Sequence, residues 1–239
     1  MMKLWIRIFN WFAKITGFIP FYIAFRTKVH YVDRKVQGRH IKGPAIIMSN
    51  HIQLFDYVVW LFVFWTRTIR TQAAEVLYRR PMLGPLLKQL GAIYVNRETR
   101  DFSFCDESVQ LLREGWVLTI FPEARLPKKG EERPLPFKMS AAYIALQSGA
   151  PVIPVVTDGS YFNLRRRAQV LIGTPVYAKD LREEGLTEKE NLRAVADKFR
   201  SIIKDMTAEL SRRTGNPEPV DNGEPPLKKA REQAKEEKR

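Results

Sequence analysis

Apolar and polar positions divide the chain into a leading helix, a long alternation of short apolar runs with amphipathic stretches, and a polar end. Leu4, Trp5, Ile8, Phe9, Phe12 and Ile15 recur at helical spacing. Lys3, Arg7, Asn10 and Lys14 form the opposite, mostly cationic stripe. Gly17 and Pro20 then interrupt, and residues 21–25 resume the apolar run. This pattern, an aromatic-rich apolar face and a basic polar face, predicts a helix lying in a membrane interface. The competing reading is a helix packed on the protein's own core. No run offers the roughly 20 mostly apolar residues of a convincing transmembrane span, since residues 57–65 are very apolar but short. A signal peptide is not expected, because lysine and arginine lie inside the apolar region and no small-residue cleavage site follows.

The middle of the chain predicts strands over 28–37, 45–48, 68–73, 92–95, 116–121, 152–156 and 168–172. Helices are predicted over 55–64, 79–90 (opened by Pro81), 102–113, 139–147 and 188–212. Strands alternating with helices give an α/β fold, a single mixed sheet flanked by helices, with the interfacial segment ahead of it. From Gly215 onward, prolines among polar residues and the almost wholly charged run 228–239 cannot bury enough apolar surface to fold. The expected organisation is a membrane-associating segment at 1–26, a catalytic domain at 27–213 and a disordered charged tail at 214–239.

A net charge of +14 points to a polyanionic partner: nucleic acid, an anionic membrane surface or phosphorylated small substrates. The single cysteine, Cys105, excludes an intrachain disulfide and any site built from several cysteines. Its acidic neighbours Asp106 and Glu107 would raise the thiol pKa, which suits a structural residue rather than a nucleophile. His30 and His40 have no neighbours of ligand type, and no metal site is expected.

The chemistry concentrates at the ends of the predicted strands. After the run 45–48 come Ser49, Asn50, His51 and, five residues on, Asp56. A histidine there can take a proton from a hydroxyl, and an aspartate can hold its tautomer. On one continuous helix the two would point about 140° apart, so the pair works only if His51 lies in a turn and the helix begins after it. The competing reading is a capped turn with an ordinary buried histidine. Arg97 follows the run 92–95, and Glu123 and Arg125 follow the run 116–121. In open α/β sheets ligands sit at the carboxyl ends of strands. A histidine, a glutamate and two arginines emerging there would make a basic pocket with a proton acceptor.

With these segments in order, residues 35–173 resemble the lysophospholipid/glycerolipid acyltransferase family. Asn50-His51 through Asp56 is similar to its histidine-four-residues-aspartate block. Gly91 through Arg97 is similar to glycine-x-x-phenylalanine-x-x-arginine, with Tyr94 for phenylalanine. Phe121-Pro122-Glu123 is similar to the start of phenylalanine-proline-glutamate-glycine-threonine-arginine, and 151–155 to the last, proline-bearing block. Asn96 stands where the family often has aspartate, and Ala124-Arg125 replaces glycine-threonine-arginine.

The resemblance implies a fatty acyl thioester of CoA or acyl carrier protein as donor, no cofactor, and a lysophospholipid acceptor. The expected reaction is acylation of the sn-2 hydroxyl of 1-acylglycerol 3-phosphate to phosphatidic acid, at the cytoplasmic face of a membrane. On this reading His51 is the base and Asp56 orients it. Arg97 and Arg125 hold the acceptor phosphate. Glu123 binds glycerol hydroxyls or positions Arg125. Asn50 belongs to the substrate site, with turn capping as its competing role. Alternatives are another lyso-lipid or glycerol 3-phosphate as acceptor, or a non-enzymatic basic protein that binds membrane or nucleic acid. No nucleic-acid-binding module is recognisable, and none is expected as a partner. Arg165-Arg166-Arg167 is a further basic cluster that could meet phospholipid headgroups or an acidic carrier protein, a solvated loop being the competing account.

Overall fold

A computed structural model describes residues 2–96, 101–128, 131–163 and 165–215. The expected tail beyond 215 and the expected phosphate ligand Arg97 lie outside the described residues. In chain order the elements are α1 (Met2–Phe25), β1 (Lys28–Tyr31), β2 (Ala45–Ser49), α2 (Asp56–Val63), β3 (Ile69–Ala74), α3 (Glu75–Tyr78), α4 (Leu83–Gln89), β4 (Ile93–Val95) and α5 (Ser103–Arg113). Then follow β5 (Val117–Ile120), α6 (Met139–Ser148), β6 (Val152–Thr157), β7 (Gln169–Ile172) and α7 (Glu188–Thr214). The strands form one sheet in the order β1-β7-β6-β2-β5-β3-β4. Five run parallel, and β7 with β1 runs against them through the antiparallel β6–β7 pair. The sheet is mixed, with helices on both faces.

Both faces of the central strands are covered, which is why they read as unbroken apolar runs. The pleat sends Ile46 and Met48 to one side, where α5, α6 and α7 pack. Ala45 and Ile47 go to the other, where α2 and the end of α1 pack. The loops that follow β2, β5 and β6 emerge at one rim of the sheet.

Three elements differ from the sequence expectation. The first strand stops at Tyr31 because Asp33 accepts the Lys35 N–H and the chain turns there. The helix expected over 79–90 is two short helices. Pro81 disfavours helical backbone at Arg80, and Gly84 packs so tightly on Tyr78 that a Cβ would lie 2.3 Å from its carbonyl oxygen. At the N-terminus one 24-residue helix runs through both Gly17 and Pro20. Gly17 serves as the close approach to Phe62 rather than as a break, and Phe21 stacks on the same ring at 4.1 Å. Packing outweighs the local cost of the proline.

The polar stripe of α1 turns inward. Asn10 and Lys14 are 1% exposed. Lys14 Nζ donates to the carbonyls of Trp65 and Arg67 at 2.9 and 2.5 Å. Lys3 pairs with Glu114, and Arg7 lies over the Trp116 ring. The apolar stripe of Trp5, Ile8, Phe12, Ile15 and Ile19 faces outward instead. The basic stripe is therefore the docking face, and the apolar stripe expected to meet lipid is the exposed one. Among the described residues α1 is the one helix long and apolar enough to cross a membrane. Its buried residues Ile6, Asn10, Lys14, Phe21 and Phe25 seat it along the domain for its whole length.

Candidate active site

The run Ala45–Ser49 is fully buried as β2, and the chain leaves it through a turn before α2 opens at Asp56. His51 lies in that turn. Its Nδ1 is 2.9 Å from Asp56 Oδ2. A carboxylate only accepts, so the contact puts the neutral ring's proton on Nδ1 and leaves the Nε2 lone pair for a substrate. The same Oδ2 accepts the backbone N–H groups of Ile52 and Gln53 at 2.7 and 2.9 Å. Oδ1 accepts the Tyr161 hydroxyl at 2.7 Å. Four donors converge on one fully buried carboxylate and fix its position. The imidazole is partly open to solvent and stacks on Phe121 at 4.4 Å.

Tyr161 carries no signal in the sequence. It stands in the loop after β6, and only the sheet order, which sets β6 beside β2, brings it to Asp56. Burial and the Asp56 charge raise its pKa well above the ordinary tyrosine value. It therefore stays protonated and donates.

Glu123 sits in the turn after β5. Its Oε1 accepts the His51 N–H and its Oε2 the Leu135 N–H, both at 2.9 Å. Burial pushes its pKa up while these two backbone donors pull the other way. The role expected for it was to bind glycerol hydroxyls or position Arg125. Its two oxygens tie the His51 turn to the segment at Leu135. Asn50 was expected in the substrate site, with turn capping as its competing role. Its amide donates to the Thr157 carbonyl and accepts the Thr157 N–H, at 3.0 and 3.1 Å, so it clasps the ends of β2 and β6 together. Arg125 points to solvent in a two-bond ion pair with Glu131, both contacts 2.7 Å. Ala124 holds φ +60°, a left-handed conformation that glycine adopts freely and alanine at a cost of roughly 1 kcal/mol. Gly91, first residue of the second block, holds φ +73°, and a Cβ there would lie 2.9 Å from Ile6.

Cys105 is buried in α5, its thiol pushed up to about 12 by burial and by Asp106. His40 Nδ1 lies 3.0 Å from the Thr66 hydroxyl. Among the described residues no three histidine, cysteine or carboxylate side chains converge as a metal site would require.

The histidine–aspartate pair thus stands at the end of a central strand of a mixed sheet. The chain belongs to the Acyltransferase family, whose model matches residues 26–158. It is 28% identical to human 1-acyl-sn-glycerol-3-phosphate acyltransferase beta, over 67% of this chain and 56% of that protein. It is 29% identical to the Limnanthes douglasii 1-acyl-sn-glycerol-3-phosphate acyltransferase, over 74% and 61%. With the Bacillus subtilis enzyme of that name it shares 28% over 69% and 82%. The alignments thus span less than two thirds of the human and plant proteins' lengths. The fold is similar to the crystal structure of the 1-acyl-sn-glycerophosphate (LPA) acyltransferase PlsC from Thermotoga maritima. The TM-score is 0.56 at 22% identity, over 87% of this chain and 81% of that one.

Proposed function

We propose that the protein transfers a fatty acyl group from a thioester of CoA or acyl carrier protein to the sn-2 hydroxyl of 1-acylglycerol 3-phosphate, giving phosphatidic acid. The observation that carries this reading is the His51–Asp56 contact at the rim of the sheet. His51 Nε2 takes the acceptor's hydroxyl proton as that oxygen attacks the thioester carbon. The tetrahedral intermediate collapses with cleavage of the C–S bond, and the imidazolium returns the proton to the leaving sulfur. Asp56 orients the ring and stabilises the imidazolium, with Tyr161 bracing Asp56. Base catalysis of this kind supplies about 10²–10⁴-fold, and positioning and oxyanion stabilisation supply the rest.

Arg97, by resemblance, takes the acceptor phosphate. Arg125 joins it only by exchanging Glu131 for the ligand, which favours a second reading in which the acceptor is a different lyso-lipid. The outward apolar face of α1 seats the protein on the membrane that holds acceptor and product. It does so as a monotopic or peripheral protein on the cytoplasmic face, where a soluble thioester donor is available.

The test is acyl transfer from labelled acyl-CoA or acyl carrier protein to a panel of lyso-acceptors, wild type beside His51→Ala. Transfer to 1-acylglycerol 3-phosphate should fall about 10²–10⁴-fold in the variant. Undiminished transfer in His51→Ala would remove the histidine from the mechanism. Preference for another acceptor would select the second reading.

A further inference from the structure

The basic cluster in the loop after β6 is left unused by this mechanism, and it lines a cavity. The cavity, of about 300 Å³, is bounded by Lys28, His30, Arg166, Arg167, Gln169 and Arg213. We infer that it binds the phosphate of an anionic bilayer phospholipid other than the one that reacts. The inference rests on the membrane reading of α1.

Charge is the first ground. No carboxylate lines the cavity. Among the described residues no carboxylate pairs with Lys28, Arg166 or Arg167. Arg213 shares Glu209 with Arg212. Asp158, beside Gln169, spends its Oδ1 on the N–H groups of Ser160 and Gln169. Arg125, by contrast, has its own glutamate. Cations gathered without acids repel one another, and a phosphate reverses that repulsion while matching guanidinium geometry.

The cluster is also built. Asn163 Oδ1 accepts the N–H groups of Arg165 and Arg166 at 2.9 and 3.0 Å, which shapes the turn that presents them. Arg167 Nε and Nη2 reach the carbonyls of Arg26 and Thr27 at 3.3 and 3.4 Å. His30 Nε2 meets Gln169 Oε1 at 2.8 Å.

Location chooses the ligand. Lys28 pairs with Gln169 at the start of β1 and β7, and Thr157 pairs with Val170, so the cavity opens on the rim where β6 and β2 end. It stands three strands from β2, roughly 14 Å along the sheet. The chain enters it directly from α1, whose last turns expose Ile19, Tyr22 and Ile23. The Phe162 N–H bonds the Ala24 carbonyl and fastens the loop to that helix end. A phosphate held there lies where an apolar, lipid-facing helix gives way to cations, which is the arrangement of acyl chain and headgroup.

The test is flotation of the full chain with phosphatidylcholine vesicles, with and without phosphatidylglycerol. Lys28→Gln/Arg166→Gln should lose about thirtyfold in partition to the anionic vesicles, two cations at about 1 kcal/mol each. Its partition to pure phosphatidylcholine should hold. Lys189→Gln/Arg193→Gln removes the same charge from the first turns of α7, about 30 Å along that helix from Arg213, and should lose less than about threefold through screening. Lys28→Arg/Arg166→Lys, with charge kept, should bind as wild type. Equal losses in the two glutamine doubles, or none in the first, would overturn the site. The Michaelis constant for the acyl donor is then read with a soluble short-chain acceptor and no vesicles, and should not change. A rise there with vesicle binding intact assigns the phosphate to the donor and overturns the lipid. Vesicle binding requires no turnover, so His51→Ala must float as wild type does, and the result stands even if no acyl transfer is found.

Discussion

The two long helices solve opposite problems. The 27-residue α7 buries Val195, Phe199, Ile203, Met206 and Leu210 and gives its charges to water. The 24-residue α1 buries Asn10 and Lys14 and leaves Trp5, Phe12, Ile15 and Ile19 exposed. Neither amide atom of Asn10 has a partner among the described residues, a burial that costs about 1–3 kcal/mol. In water α1 is unfavourable on both sides. An apolar solvent on its outer face reverses the larger of the two penalties. The comparison teaches that helical periodicity says which residues share a face, while the surroundings decide which way the face points.

The widest gap between the helices should appear in stability. Phe199 is 2% exposed in α7, and Phe199→Ala should cost about 3–5 kcal/mol in urea unfolding. Phe12 is 58% exposed in α1, and Phe12→Ala should stay within about 0.5 kcal/mol. A comparable loss at both positions would mean that α1 packs on protein through its outer face, and the contrast would break.

Membrane partition should reverse the order. Phe12→Ser/Ile15→Ser removes two half-exposed apolar side chains, each worth about 1.5–3 kcal/mol when fully buried. Together they should contribute about 3 kcal/mol to binding neutral phosphatidylcholine vesicles, or roughly 150-fold in partition. Unchanged flotation, with loss of a dimer in sedimentation instead, would assign the face to a second copy of the chain.

Much of the fold was legible because most elements carry their own period. β2, β5, β6 and α5 to α7 lie within two residues of the expected spans. The His51 turn was legible because only a break before Asp56 lets the two side chains meet. Two things were hidden, each for a physical reason. Tyr161 reaches Asp56 only through the order of strands, which no local pattern encodes. Asn50 and Glu123 are polar residues at strand ends, where a ligand contact and a backbone tie demand the same side chains. The direction of α1 stood between two readings, lipid and core, because amphipathicity has no sign until the solvent is known.

Lys14 gives the finest measure of that direction. Burial under α1 lowers its pKa from 10.5 to about 8. A neutral amine still has two N–H groups for the carbonyls of Trp65 and Arg67, so deprotonation sacrifices neither bond. Between pH 8 and 10.5 the unfolded chain holds this proton and the folded chain does not. Folding stability should therefore rise with pH across that window, by up to about 1.4 kcal/mol per unit, with the penalty fully present below pH 8. Urea unfolding at pH 7, 8 and 9 reads the slope, and Lys14→Met should flatten it, cancelling every group the two proteins share. A wild-type slope no steeper than the variant's would mean that Lys14 meets water and the polar stripe of α1 is not seated on the domain. The outward apolar face, and the membrane role built on it, would then lose their structural basis.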